Sequence, residues 1–223
     1  MNILIALSCL LFIHSCEKKN DKTSMEDHQN IIINAVKNGQ LQLVEKELGN
    51  GTDVNTSDEH KRSLLLIATH DNNLEMAKLL LKHGGDVNQQ DNIYDSPFLY
   101  AGASGFAELV TLFLANGARF DVFNRYNGSA LIPACERGHL EVVKILANTK
   151  GFPIDHINRL GWTGLLEAVI LGNGSSKYVE VVQILVDAGC NVNIADHNGI
   201  TALQHAKASG YKDIAAILEK AKN

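Results

Sequence analysis

Six alanines, Ala35, Ala68, Ala101, Ala134, Ala168 and Ala206, follow one another at intervals of 33, 33, 33, 34 and 38 residues. A period of that length marks a chain made by repeating one supersecondary unit. The glycines Gly51, Gly84, Gly117, Gly151 and Gly189 keep the same beat, 33, 33, 34 and 38. Four residues after each alanine stands Gly39, Asn72, Gly105, Gly138, Gly172 or Gly210, types that tolerate the left-handed backbone closing a short helix. A second apolar stretch then follows, as in Leu74 to Leu81, Leu109 to Leu114, Leu140 to Leu146 and Val179 to Leu185. Its apolar face recurs at helical spacing and is wide enough to be covered by neighbours on both sides. Each unit therefore reads as helix, tight turn, helix and loop, and the expected fold class is all-α, a solenoid of stacked helix-turn-helix units joined by hairpin loops.

The motifs Ser96-Pro97-Phe98-Leu99-Tyr100-Ala101 and Gly138-His139-Leu140-Glu141-Val142-Val143 resemble those of ankyrin repeats. So do Gly84-Gly85-Asp86-Val87-Asn88 and Gly189-Cys190-Asn191-Val192-Asn193. The resemblance covers about 195 residues, in six units at approximately 28–57, 58–90, 91–123, 124–157, 158–195 and 196–223. The helix-opening Thr-Pro of the family is degenerate here, standing as Ser63-Leu64, Ser129-Ala130, Thr163-Gly164 and Thr201-Ala202. A single helix pair cannot bury its apolar face, so the outer units must turn a polar side to water. Glu45-Lys46-Glu47 in the first unit and the tail from Leu218 to Asn223 are expected to do so. The fifth unit carries about five extra residues, Asn173 to Lys177, where its two helices meet.

Composition narrows the function. With 45% hydrophobic and 20% charged residues the 223-residue chain can build a core, and a net charge of −5 with interspersed signs gives no continuous field for phosphate. Nucleic acid is excluded as a partner. The histidines form no His-x-x-x-His with a glutamate, there is no Cys-x-x-Cys, and Gly102-Ala103-Ser104-Gly105 lacks the Lys-Ser/Thr of a phosphate loop. His139 stands at the family's turn position, where a structural hydrogen-bonding role is implied. No metal, cofactor or catalytic residue is expected, and the chain reads as a non-enzyme. An envelope hydrolase built on the fifth-unit loop would need clustered carboxylates or a metal there. Cys135 and Cys190 lie in different units, on the order of 10 Å per step apart and beyond the roughly 7 Å reach of a disulfide, so both are expected to be free.

The apolar run from Asn2 to Ile13 has the length of a signal-peptide core and is too short to span a bilayer, which takes ~20 residues, so residues 1–15 read as a signal peptide. Ile13-His14-Ser15-Cys16 resembles the bacterial lipobox, which implies lipidation of Cys16 and a polar tether over 16–27. An ordinary cleaved secretory signal, and a cytosolic scaffold with no leader, are the alternatives. The expected localisation is the bacterial envelope, facing the periplasm or the cell surface.

In ankyrin stacks the hairpin tips and the exposed side of the first helix form a concave surface for partners. The matching tips are Glu59 to Arg62, Asn92 to Asp95, Arg125 to Gly128, Arg159 to Trp162 and His197 to Ile200. Among them Tyr94, Arg125, Tyr126, Arg159 and Trp162 are of the types that dominate binding hot spots. Leu160, Ile170 and Leu171 extend an apolar patch around Trp162, expected to be exposed and to centre the interface. The function this implies is a monomeric protein-binding module, scaffolding or protecting a partner, with an immunity or inhibitor protein that occludes a toxin or enzyme as the alternative.

Overall fold

The computed structural model describes residues 26–221. Helix formation begins at hydroxyl caps. Ser63, Ser96, Thr163 and Thr201 each accept a hydrogen bond from the backbone N–H three residues on, satisfying a donor the first turn leaves free. The degenerate Thr-Pro motif thus keeps the atom that matters. Ser129 is the exception. In the other four units the residue four after the cap donates to the cap's carbonyl, whereas here that residue is Pro133, which has no N–H. The helix accordingly starts at Leu131, one residue late, and Ser129 Oγ is buried without a partner among the described residues.

Among the described residues twelve helices form six antiparallel pairs: α1 (26–37) with α2 (Leu41–Gly49), α3 (Leu64–His70) with α4 (Leu74–Lys82), α5 (Pro97–Ser104) with α6 (Ala107–Ala115). The series continues with α7 (Leu131–Arg137) and α8 (Leu140–Ala147), α9 (Gly164–Ile170) and α10 (Ser176–Asp187), α11 (Ala202–Ala208) and α12 (Lys212–Ala221). Residues 26 and 27, assigned from the sequence to a tether, are already helical. Among the described residues there is no strand, only the isolated bridges Ser57 to Ser63 and Ala195 to Thr201.

The odd-numbered helices α3 to α11 pack in one row and the even-numbered helices α2 to α12 in a second, each touching its successor. Between the rows runs one continuous core. Leu65, Met76, Leu80, Leu109, Phe113, Leu131, Leu146, Leu166 and Leu185 are fully enclosed within it. Each such side chain contributes about 1.5–3 kcal/mol by leaving water, and no unit could collect that alone. Small residues let the first row close up, as where Gly102 lies against Ala130. Polar stitches follow the same direction. Asn55 donates to Gly84 O and accepts from Asp86 N, and Asn88 repeats the pattern one unit on with Gly117 O and Arg119 N.

The extra residues of the fifth unit lengthen α10 to 12 residues, where its counterparts have 8 to 10. Lys177 Nζ and Tyr178 Oη then donate back to the carbonyls of Arg137 and Glu136, at 2.9 and 2.8 Å. The insertion is therefore a brace between the fourth and fifth units. At the first end, Glu45 and Lys46 face water as expected, but Glu47 does not. It is buried because His28 Nδ1, in α1, lies 2.7 Å from its Oε2 and takes the carboxylate inward.

Candidate functional site

Five successive hairpins share one construction. Asp58, Asp91, Asn124, Asn158 and Asp196 each accept, through Oδ1, the backbone N–H groups two and four residues on, at 2.8–3.0 Å. Each also donates its own N–H to the carbonyl four residues on. The loop closes only if the residue three after the anchor turns left-handed, and Lys61, Tyr94, Asn127, Gly161 and Gly199 do, with φ between 57° and 80°. The two or three residues inside each loop are thereby pointed at solvent. Ile93 is 52% exposed, Tyr94 59%, Tyr126 52% and Leu160 49%.

Adjacent tips are tied to one another. Arg159 N donates to Tyr126 O at 2.9 Å and Arg159 Nη1 to Arg125 O at 3.0 Å. The Arg125 guanidinium lies 5.0 Å above the Tyr126 ring and 4.0 Å from Asp95 Oδ2. Burial raises the Asp95 carboxyl, the nearby Asp91 adds to the rise, and Arg125 opposes both.

Behind the fourth and fifth tips lies a cleft of about 310 Å³. Its walls come from Tyr126, Ile132, Pro133, Leu160 and Leu171, and two carboxylates, Glu136 and Glu167, open onto it. Glu167 is only 4% exposed. Among the described residues its carboxylate takes one hydrogen bond, from Asn158 Nδ2 to Oε1 at 2.8 Å. Burial raises the Glu167 carboxyl to about 7, with repulsion from Glu136 adding to the rise and the Asn158 hydrogen bond opposing it. No three His, Cys, Asp or Glu side chains among the described residues are grouped as metal ligands. Cys135 and Cys190 are free, the first fully buried and the second half-buried, and burial raises both thiols, Cys190 to about 12. The cleft thus offers apolar surface, hydrogen-bond acceptors and negative charge.

The family model for ankyrin repeats in three copies matches residues 6–91, 32–124 and 98–196, the greater part of the chain. The chain belongs to the ankyrin repeat family. Its structure superimposes with a TM-score of 0.83 on an ankyrin repeat domain from Acinetobacter baumannii AYE, 46% identical, over 86% of this chain and 97% of that one. The ankyrin repeat protein EF0377 gives a TM-score of 0.82 at 38% identity, over 85% of this chain and 96% of that one. The ankyrin repeat protein YahD of Escherichia coli (strain K12) is 41% identical over 95 residues, 42% of this chain. Here the chain spans about half of its relative's length, 47%.

On this ankyrin stack the residues singled out from the sequence fall into three groups. Tyr94, Tyr126, Leu160 and Leu171 are exposed, the last at 49%, and Tyr126, Leu160 and Leu171 meet at the cleft. Arg125 and Arg159 are on the tips but bound into the ladder between them. Trp162 and Ile170 are half-buried against the core, so the tryptophan expected at the exposed centre packs inward and does not line the cleft. The cause is local. Trp162 follows the left-handed Gly161, its carbonyl accepts from Asn158 N, and the next residue, Thr163, caps α9, which leaves the indole facing back to the helices. Cys16 lies outside the described residues. Sequence reasoning missed Asn158, Glu136 and Glu167. The Asp or Asn anchors at 58, 91, 124, 158 and 196 form a third ruler with the same intervals, and Glu167 interrupts the apolar run of α9.

Proposed function

We propose that the chain is a monomeric protein-binding module that receives another protein on the tip-side face of its fourth and fifth ankyrin repeats. The observation that carries this reading is the row of large apolar side chains left in water on rigidly anchored loops, from Ile93 and Tyr94 through Tyr126 to Leu160 and Leu171. Each exposes about half of its surface, and contiguous exposed apolar surface marks an interaction site. The anchoring matters as much as the exposure. Loops fixed by side-chain and backbone hydrogen bonds lose little freedom when a partner docks, so more of the contact energy appears as affinity.

The finer reading places the module at a bacterial envelope, tethered by a lipid on Cys16, where it scaffolds or protects its partner. The apolar run of residues 2–13 and the Ile13-Ser15-Cys16 pattern support it. Fatty-acid labelling of cells carrying wild type and Cys16→Ala tests the tether, and label retained on the variant ends that part of the reading. For the interface, native membranes are solubilised and the partner recovered with wild type and with the Leu160→Asp, Leu171→Asp double variant. Loss of a specific partner from the double variant, at unchanged thermal stability, is expected. Equal recovery removes this face as the interface.

A further inference from the structure

The cleft between the fourth and fifth repeats is built differently from an apolar socket. Its walls are the exposed Leu160 and Leu171 with Ile132, Pro133 and Tyr126, while the two groups in it that carry charge near neutral pH are both acids, Glu136 and Glu167. Glu167 is almost wholly enclosed, yet among the described residues a single amide hydrogen bond is its only polar support. A carboxylate accepts at several sites, and a buried one left with a single neutral donor is costly to ionise. Glu136 on the neighbouring helix adds a second negative charge in place of the counter-charge that would relieve it. Among the described residues no cation forms an ion pair with Glu136 or Glu167, and Lys177 Nζ donates to the Arg137 carbonyl. Arg125 lies over Tyr126 and toward Asp95, Arg159 donates to the Arg125 carbonyl, and the Arg137 guanidinium donates to the Ala103 carbonyl.

We infer that this cleft receives a basic side chain, arginine or lysine, of the bound protein, with its aliphatic stem between Leu160 and Leu171 and its cationic head at Glu136 and Glu167. The inference rests on the protein-binding reading above and specifies the chemistry of the partner at its centre. An amphipathic cation fits both halves of the cleft, because its methylenes cover apolar wall while its head reaches the acids. A neutral polar group would leave the Glu136 and Glu167 repulsion in place, and an apolar group would bury both acids without a counter-charge. Specificity follows from the same arrangement, since an acidic side chain in this position meets two like charges.

The test is a selection of displayed random peptides on the purified full-length protein, followed by affinity measurement of the enriched sequences as synthetic peptides. Enriched peptides are expected to carry one fixed arginine or lysine. Replacing it with citrulline or norleucine is expected to weaken binding about tenfold or more, as is Glu167→Gln, with Glu136→Gln giving a smaller loss. Thermal melting of Glu167→Gln separates loss of the site from loss of the fold, because that variant is expected to melt no lower than wild type at pH 8. Peptides that lose binding on Leu160→Asp but carry no fixed basic residue, and bind Glu167→Gln as they bind wild type, overturn the inference and leave the interface standing. Peptides indifferent to Leu160→Asp and Glu167→Gln alike, or no enrichment at all, overturn both.

Discussion

Asn158 Nδ2 donates to Glu167 Oε1 at 2.8 Å, while the other end of the same amide accepts from Leu160 N and Trp162 N. One side chain therefore closes the hairpin of the fifth repeat and carries the only hydrogen bond that the acid in the cleft receives among the described residues. The tip and the cleft are mechanically one object, which is why the acid's protonation has consequences for the stability of the stack.

Glu167 titrates near 7 in the fold, because burial first and Glu136 second disfavour its charge, against an ordinary value of 4.5. Below pH 4.5 folded and unfolded chains both hold this proton, and its contribution is fully present. As pH rises from there through about 7 the unfolded chain has released the proton and the folded chain still holds it, so stability declines, and above 7 the loss is constant. Glu167→Gln keeps an acceptor for Asn158 and has no proton to lose. The difference in stability between variant and wild type should grow in the variant's favour by on the order of 2–3 kcal/mol between pH 5 and pH 8. Taking that difference also cancels opposite trends from carboxylates held low in both proteins, such as Asp58 and Asp196. Denaturant titrations at the two pH values measure it, and parallel pH profiles would show that Glu167 is not the group responsible.

Tyr94 occupies the left-handed position of its tip with φ 64°, where the hairpins of the fifth and sixth repeats have Gly161 and Gly199. A side chain at such an angle costs roughly 1–2 kcal/mol, and at 59% exposure the ring recovers little of that by packing. Tyr94→Gly should therefore raise stability by about 0.5–1 kcal/mol, after the greater freedom of glycine in the unfolded chain is counted. Partner affinity should fall in the same variant, since strain kept at an exposed aromatic points to use of that aromatic. A melting temperature at or below that of wild type would mean that the ring has contacts that outweigh the strain.

Gly102 closes the approach of α5 to α7. A Cβ placed there would lie 2.7 Å from Ala130 Cβ and 2.9 Å from Ala130 O, and the second of these is backbone that cannot swing aside. Gly102→Ala should destabilise by about 1–3 kcal/mol even though alanine is the better helix former. The paired substitution Ala130→Gly removes one of the two clashing atoms and should restore part of the loss. Chemical denaturation of the single and double variants gives the comparison, with equal destabilisation in both counting against overlap at this contact.

The stacking was legible in the sequence because it depends on a period, and Ala35 to Ala206 preserve that period even where the Thr-Pro motif decays. Exposure at the tips was legible for Tyr94, Tyr126, Leu160 and Leu171, whose hairpin or helix-end positions determine it. Trp162 was not, because one residue of difference within a loop decides whether a ring faces water or the core, and that depends on the turn made by Gly161. Glu47 was expected to face water, and Glu167 drew no reading at all, for a related reason. Each is drawn inward by a single partner, His28 and Asn158 respectively, lying 19 and 9 residues before it, separations that no helical period marks.

The sixth repeat makes the same connection with other chemistry. His205 Nε2 lies 2.8 Å from Asp196 Oδ2, nine residues apart like Asn158 and Glu167, so anchor and inner-helix residue are paired in both units. An aspartate serves as anchor in three of the five hairpins, so Asn158→Asp should close its loop normally. Its second oxygen would then face Glu167 as a like charge with no donor between them. The single substitution should destabilise by about 2–4 kcal/mol at pH 8 and by less at pH 5, where the Glu167 carboxyl holds its proton and can donate. Adding Glu167→His recreates the Asp–His pair of the sixth repeat and should recover most of the loss at neutral pH. The coupling measured in that double-mutant cycle decides the matter. If Asn158→Asp costs nothing, or if histidine at 167 fails to rescue it while each single variant stays folded, then Asn158 and Glu167 do not act as a pair.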